Sequence, residues 1–495
     1  MGVRSFLSKF LAKSVVRRYQ KSQKTAFDKQ EFWLKSNLQK ARKTLFGQAF
    51  QFESIQNYID FKNKVPISEY EDLKPYIEES LSGKSDVLWP GLPSYFAKTS
   101  GTTSGAKYIP ISSDSMPYHI AGARDALLHY VFYRGKSEFL DRKLIFLSGS
   151  PELETKNGIP LGRLSGIVNH HVPSYLRSNQ LPSYATNCIE DWEEKLDSIV
   201  EETIDQRMGL ISGIPPWVQM YFDRLEEKSG KKVGELFPDF QLFVTGGVNF
   251  EPYRDKLLGS IGREVDVLET YPASEGFIAF QDSSGEEGLL LLIDAGIFYE
   301  FVPTDTYFSA NPIRLPLSEV ELGVNYALLM TTNAGLWAYS IGDTVKFVSL
   351  NPYRIVVTGR IKHFISAFGE HVISEEVEKA MQEAMKVCPE AKIVEFTVAP
   401  QVNPTVGMLP HHEWLIEFEH APLDIELFQK TLDLSMQRQN MYYKDLIEGK
   451  ILQSLVLRTL PKNAFIDYMK SQGKLGGQNK VPRLSNDRKL AERLN

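Results

Sequence analysis

Between residues 143 and 268, four short apolar runs alternate with longer amphipathic ones, and no other feature restricts the fold of this chain more. The short runs are 143–148 (KLIFLS), 207–211 (RMGLI), 241–244 (QLFV) and 264–268 (EVDVL). Each has the length of a buried strand. The intervening stretches 115–132, 191–207, 216–227 and 252–261 carry apolar residues at helical spacing. Strand–helix alternation builds βαβ units and hence a largely parallel sheet. Such sheets collect ligands where strands end and loops begin. Gly246-Gly247 follows one of these runs and 269–275 follows the next, so the search for chemistry starts there.

The rest of the chain is organised around that region. Residues 1–82 read as mainly helical, and 288–358 as β-rich, an antiparallel subdomain appended to the sheet. Thr358-Gly359-Arg360 reads as a boundary. Beyond it lies a smaller α+β tail. Its helices are expected over 374–385, 424–438 and 464–471, and its strands over 393–398, 414–419 and 452–457. Ser374 is the expected N-cap of the first of these helices. At 495 residues the chain exceeds one ordinary core. The expectation is an α/β protein with a large N-terminal domain, residues 1–359, of parallel or mixed sheets plus the β-rich subdomain. A small α+β C-terminal domain, residues 360–495, follows.

Charge and composition exclude several classes. A net charge of −6 argues against a general nucleic-acid binder. Cys188 and Cys388 are far apart and form no C-x-x-C pair, so a reducing cytoplasmic setting is expected. The histidine pairs 170–171 and 411–412 lack zinc-site spacing. No stretch has the ~18 apolar residues of a membrane span, so stable membrane insertion is not expected. The first 27 residues hold seven Lys or Arg and no acid, with Phe6, Leu7, Phe10, Leu11 and Val15 at helical spacing. Such a helix either packs on its own domain or lies on an anionic membrane. Lys9 and Lys13 interrupt any secretory signal core, and Phe6 occupies the position where myristoylation needs Ser or Thr.

Four stretches carry candidate chemistry. The first is 97–110 (AKTSGTTSGAKYIP), where small hydroxyl residues and two glycines precede Lys107. Glycines let backbone approach a bulky anion, hydroxyls and N–H groups donate, and the lysine adds charge. This is not a Walker A loop, which requires adjacent Gly-Lys and a following hydroxyl. An ordinary surface turn has the same composition. The second is 269–276 (ETYPASEG), which offers an aromatic face, a hydroxyl and a carboxylate. There Glu275 can hold a magnesium ion or simply be solvated. The third is 337–343 (WAYSIGD), where Asp343 can accept two ribose hydroxyls or merely complete a Gly-Asp turn. The fourth is the terminal loop around Lys480, which can place a point charge on developing negative oxygens or stay in solvent.

Taken in this order, the four stretches resemble the adenylate-forming superfamily that includes firefly luciferase and acyl-CoA synthetases. They resemble more closely its auxin-responsive (Gretchen Hagen) acyl-acid amido synthetase family. Residues 99–107 look like that family's first nucleotide motif, 271–275 its second and 335–343 (GLWAYSIGD) its third. Val244-Thr245-Gly246-Gly247 resembles its adenine-side strand end, and 478–483 (QNKVPR) its C-terminal lysine loop. The pattern departs at Pro272 and at Ala338-Tyr339-Ser340.

The resemblance implies an adenylation domain and a mobile C-terminal domain, with ATP and Mg²⁺ as cofactors. It implies that Ser100, Gly101, Thr102, Thr103 and Lys107 hold the phosphates. Thr245, Gly246, Gly247 and Tyr271 would hold adenine, Ser274 the α-phosphate, Glu275 the magnesium and Asp343 the ribose. Arg360 would sit at the hinge, and Lys480 would bridge the carboxylate and the α-phosphate. The implied reaction activates a small carboxylic acid as an acyl-adenylate and passes it to an amino acid amine. The alternatives are an acid–thiol ligase using coenzyme A and a catalytically silent nucleotide-binding protein. For the acyl pocket, 212–217 (SGIPPW) and the region of Tyr130 and Phe132 are candidates.

Overall fold

The computed structural model describes residues 2–99, 107–172, 177–189, 191–247, 250, 253–282, 285–361, 364–365, 370, 372–402, 404, 408–448, 451–473, 475, 480–485 and 487–494. The chain forms two compact units. One holds Met1–Ile341 and Val345–Val356, the other Gly342–Thr344 and Val357–Asn495.

In the first unit the alternating runs become neighbouring strands. In spatial order these are Gln180–Leu181, Lys143–Phe146, Met208–Ser212, Leu242–Gly246 and Asp266–Ala273, each parallel to the next. Met208–Ile211 and Leu242–Phe243 are fully buried on consecutive positions, which marks a parallel sheet covered on both faces. The intervening helices are Met116–Arg134, Trp192–Thr203, Pro215–Ser229 and Arg254–Ile261. Local signals set their ends. Asp191 caps the second by accepting the N–H of Glu194 at 2.9 Å, and Gly230 closes the third.

The β-rich stretch adds to the same sheet through antiparallel strands. Gly276–Phe280 folds back antiparallel on Asp266–Ala273 and leaves a free edge, to which Leu289–Leu291 adds antiparallel. Tyr353–Arg360, Tyr339–Leu350, Asn325–Thr332, Ile297–Pro303 and Leu315–Pro316 follow, giving twelve strands among the described residues. A second sheet of four strands comprises Lys107–Ile111, Tyr95–Thr99, Ile159–Gly162 and Glu154–Lys156, in that spatial order.

Residues 1–82 are helical as expected, and their apolar side chains meet the Gly-Leu-Trp stretch. Trp337 is fully buried against Phe46, Phe52 and Trp89, so the tryptophan of the third motif belongs to the core. Arg314 makes a bidentate pair with buried Glu300 at 2.8 and 2.9 Å, and Tyr58 donates to the same carboxylate at 3.0 Å.

The second unit is built on Lys392–Gln401, His411–His420 and Val456–Leu460. The first pair is antiparallel and the second parallel. Helices Ser374–Val387 and Ile425–Gln439 pack together, and Val377, Met381, Phe428 and Leu432 join Phe396 and Trp414 in one apolar cluster. Two local expectations are corrected. Ser374 is the first helical residue, not the cap; Ile373 is the cap, and its N–H is accepted by Glu376 at 3.0 Å. The last strand begins at Val456 rather than Leu452. The N–H groups of Leu452 and Leu455 are taken by Leu446 O and the Asp433 carboxylate, so neither is available to a ladder.

Removing one partner of a buried pair leaves the other charged and unsatisfied. Arg314→Met is therefore expected to destabilise the protein by about 3–5 kcal/mol, read by chemical denaturation. A loss within the scatter of surface substitutions would show that Glu300 needs no counter-charge.

Candidate active site

The strands that end nearest the second motif run longer than sequence alone indicates. Leu242–Gly246 pairs with Asp266–Ala273 so that Thr245 lies opposite Glu269 and Gly246 opposite Thr270. Pairing extends to the strand tips because Thr270 Oγ1 donates to Thr245 O at 3.0 Å. A Cβ at Gly246 would lie 2.5 Å from Thr270 O, so only glycine fits between these strands. The Thr245 hydroxyl is buried and has no hydrogen-bond partner among the described residues. A buried donor of that kind invites a ligand acceptor. Gly247 comes directly after the strand end.

Tyr271 is on a strand, not in a loop. It is buried in the cluster that includes Ile278, Ala279 and Met330. Ser274 and Glu275 form the tight turn between Ala273 and Gly276, which pair with each other. Ser274 is largely buried and Glu275 is half-buried.

Ser100, Gly101, Thr102 and Thr103 lie outside the described residues. Their flanks are placed: Thr99 pairs with Lys107 across an antiparallel hairpin. The Lys107 ammonium lies 5.5 Å from the ring centre of Tyr70, and the Tyr70 hydroxyl accepts the N–H of Tyr108 at 3.0 Å.

In the second unit three candidates come together. Asp343 lies within the strand Tyr339–Leu350, not after it, and the preceding Gly342 has φ +86°. Glycine alone takes that conformation without strain. Arg360 ends the adjacent strand and pairs with Asp343 at 3.0 Å. Thr358 donates to Thr344 at 2.8 Å, and the N–H of Ile361 to Gly342 O at 2.7 Å, which ties the two strand ends.

Lys480 joins this pair electrostatically. The residue as a whole keeps solvent exposure, yet protein around its amine displaces water and lowers its pKa to about 8. Asp343 opposes that shift and Arg360 adds to it. The terminal stretch read as a plain loop is anchored just after this lysine. Arg483 pairs with Glu395, lies over Phe396 at 4.4 Å and accepts the N–H of Val398 at 2.9 Å. Thr397 donates to Pro482 O at 2.7 Å.

Two cations escaped the sequence reading. Lys195 is buried and donates to Ser148 O at 3.1 Å and Asn187 O at 2.6 Å. Burial pushes its pKa down to about 8, Cys188 opposes this and Arg163 reinforces it. An ammonium has a third donor beyond those two bonds. Arg163 makes no side-chain hydrogen bond or ion pair among the described residues, and burial lowers its pKa. Ser148 follows the C-terminal end of Lys143–Phe146, so these cations lie at the ligand-collecting edge of the sheet. Lys195 was legible: it falls on the helical face of Trp192, Leu196, Ile199 and Thr203, where a charge is out of place. Arg163 carries no such signal.

Tyr130 belongs elsewhere. Its hydroxyl donates at 2.8 Å to Asp266, the first residue of its strand and so at the opposite edge. Phe132 is exposed on its helix. A cleft of about 680 Å³ opens at that opposite edge, lined by Arg142, Asp239, Arg263 and Asp266. Its charges are neutralised internally, with Asp239 held by Arg142 and Arg207. Ser212 ends a strand at the ligand-collecting edge and Gly213 follows it, and Trp217 packs on Trp192 at 5.0 Å.

Comparison with known proteins matches three parts in order. The GH3 family N-terminal domain matches residues 15–180, its central domain 290–360 and its C-terminal domain 375–489. A jasmonoyl–L-amino acid synthetase, JAR4, of Nicotiana attenuata is 22% identical over 81% of this chain and 81% of its own length. The indole-3-acetic acid-amido synthetase GH3.3 of Arabidopsis thaliana is 20% identical over 89% and 86%. Among solved structures, the AtGH3.15 acyl acid amido synthetase in complex with 2,4-DB superposes with a TM-score of 0.80 at 16% identity. It covers 98% of this chain and 95% of its own. That likeness establishes the shared two-domain α/β fold.

The Lys480 amine is expected to titrate near pH 8, measured from its ¹⁵Nζ shift. Asp343→Asn should lower that midpoint further, because it removes the group that favours the charged form. A midpoint at the ordinary lysine value of ~10.4 would separate Lys480 from this pair.

Proposed function

This chain belongs to the GH3 family of the adenylate-forming superfamily, and from that premise we propose an acyl acid amido synthetase that spends ATP to join a small carboxylic acid to an amino acid. The observation that carries the reading is the Asp343–Arg360–Lys480 group, in which a desolvated lysine amine meets a carboxylate already paired with a guanidinium.

A free carboxylate is a poor electrophile, and activation divides one hard step into two easier ones. In the first, a carboxylate oxygen attacks the α-phosphorus of ATP, the α–β phosphoanhydride bond breaks, and pyrophosphate leaves. In the second, the amine nitrogen attacks the acyl carbon, the bond to AMP breaks, and the amine gives up a proton. Catalysis of such transfer is mainly positioning and charge neutralisation.

The residues divide these tasks. Lys480 spans the attacking carboxylate and the α-phosphate. Asp343 accepts the ribose hydroxyls, Thr245, Gly246, Gly247 and Tyr271 bound the adenine, and Ser274 meets the α-phosphate. Ser100, Gly101, Thr102, Thr103 and Lys107 hold the phosphate chain. Arg163 and Lys195 supply positive charge at the strand ends, which suits an anionic substrate.

Among the described residues no group of three His, Cys, Asp or Glu can cage a metal. A lone turn carboxylate such as Glu275 nevertheless fits magnesium, which keeps waters and phosphate oxygens as its other ligands. Bound there, it would neutralise phosphate charge. The small domain 360–495 moves between the two steps, with Arg360 at its hinge. We place the reaction in the cytosol, where the free Cys188 and Cys388 stay reduced.

Carboxylate-dependent ATP–pyrophosphate exchange tests this reading across aromatic, jasmonate-like, fatty and benzoic acids. Lys480→Ala is expected to slow exchange by roughly 10²–10³-fold, with little change in ATP binding. Amino acids, not coenzyme A, should discharge the adenylate. Discharge by coenzyme A would make the protein an acid–thiol ligase, and exchange with no acid would leave a nucleotide binder.

A further inference from the structure

The helix Val3–Lys24 presents its large apolar residues to solvent and its small ones to the protein. Ser5, Ser8, Ala12, Val15, Val16 and Ser22 form its buried face. That face is complete in itself: Ser5 and Ser137 share a hydrogen bond of 2.6 Å, Ser8 donates to Ser5 O, and Arg18 pairs with Asp125. On the outer side of the first two turns Val3 is 75% exposed, Phe6 52%, Leu7 53%, Phe10 66% and Leu11 58%. Phe6 and Phe10 meet edge to face at 5.0 Å. A single exposed apolar side chain is ordinary, but five on one side of one helix are not.

The same outer side changes character along the helix. After Leu11 it carries Lys13, Arg17, Lys21 and Lys24, all exposed and without an ion pair among the described residues. Their rows fall at i, i+4, i+8 and i+11, continuing the line of the apolar patch. The nearest acids are already engaged or lie at the margin: Asp141 accepts the N–H of Gly2, Asp125 holds Arg18, and Glu138 takes the N–H of Ser137 with Lys9 close by. The helix has no acidic residue of its own.

We propose that this helix docks the protein on an anionic lipid bilayer, lying in the interface without crossing it. Phe6, Leu7, Phe10 and Leu11 enter the headgroup–acyl boundary while Lys13, Arg17, Lys21 and Lys24 meet anionic headgroups. Charge complementarity selects this occupant. A cytosolic leaflet is negative and attracts unpaired lysines, whereas a second copy of this helix would set like charges against each other. No helix among the described residues is long and apolar enough to span, which suits a surface role. The buried face stays docked on the domain, so binding requires no unfolding.

The test uses the full chain and co-sedimentation with vesicles of phosphatidylcholine alone or with 30 mol% phosphatidylserine or phosphatidylglycerol. The protein should pellet with both anionic preparations, not with the neutral one, and release at high salt. Phe6→Ser with Phe10→Ser, and separately Arg17→Glu with Lys21→Glu, should each lower binding by at least roughly tenfold. All four positions are exposed, so circular dichroism and ATP–pyrophosphate exchange should stay at their wild-type values. Equal binding to neutral vesicles, or binding untouched by either double substitution, would overturn the proposal. So would a mass in sedimentation that halves on Phe6→Ser with Phe10→Ser, which would assign the patch to a second copy of the chain.

Discussion

Two paired strands that belong partly to each compact unit are the constraint on which the proposed site depends. Tyr339–Leu350 and Tyr353–Arg360 begin in the large sheet's register and carry Asp343 and Arg360 into the smaller unit. Because the strands are hydrogen-bonded neighbours, these two charges need no long-range search to meet. Gly342 supplies the backbone conformation that a side chain would forbid, and the Thr344–Thr358 bond closes the same corner. Lys480 then enters a field already set by a carboxylate and a guanidinium. Its depressed pKa follows from lost water, with Asp343 opposing the shift and Arg360 adding to it.

The two edges of the large sheet differ in how their polar groups are matched. At the C-terminal ends of its parallel strands lie Thr245, whose hydroxyl is unmatched among the described residues, the glycine that admits close approach, and the cations Lys195 and Arg163. At the opposite edge charges cancel, as Asp266 does with Lys136 and Tyr130. Unbalanced polar groups at one edge and balanced ones at the other fit the proposed placement of nucleotide and acid at the first. The N-terminal helix shows the same imbalance on the outer surface, where Lys13, Arg17, Lys21 and Lys24 continue the line of Phe6 and Phe10 with no ion pair among the described residues.

Much of this was legible in the residues. Strand–helix alternation located all four central parallel strands because a buried strand must be short and apolar whatever surrounds it. Within the motif at 335–343 the tryptophan is core, whereas Asp343 pairs with Arg360. The apolar run 264–268 marks only the start of its strand, which continues through Tyr271 to Ala273. Pairing with a neighbour, not local composition, decides where a strand stops. The same reason explains the late start of Val456–Leu460, where Asp433 captured a backbone donor first.

The sequence alone determined the fold class, the order of the nucleotide motifs and the family, because periodicity and motif spacing are properties of neighbouring residues. Tertiary structure alone decided that the β-rich stretch extends one sheet and that Arg483 anchors the loop carrying Lys480. It also decided that Phe6 and Phe10 face outward while serines face inward. Each of these depends on which distant surface an element meets. A helix with apolar residues on one side and small ones on the other reads equally well in either orientation until its partner's shape is known. Here the partner's close approach favoured the serines, and the aromatic face was left to water.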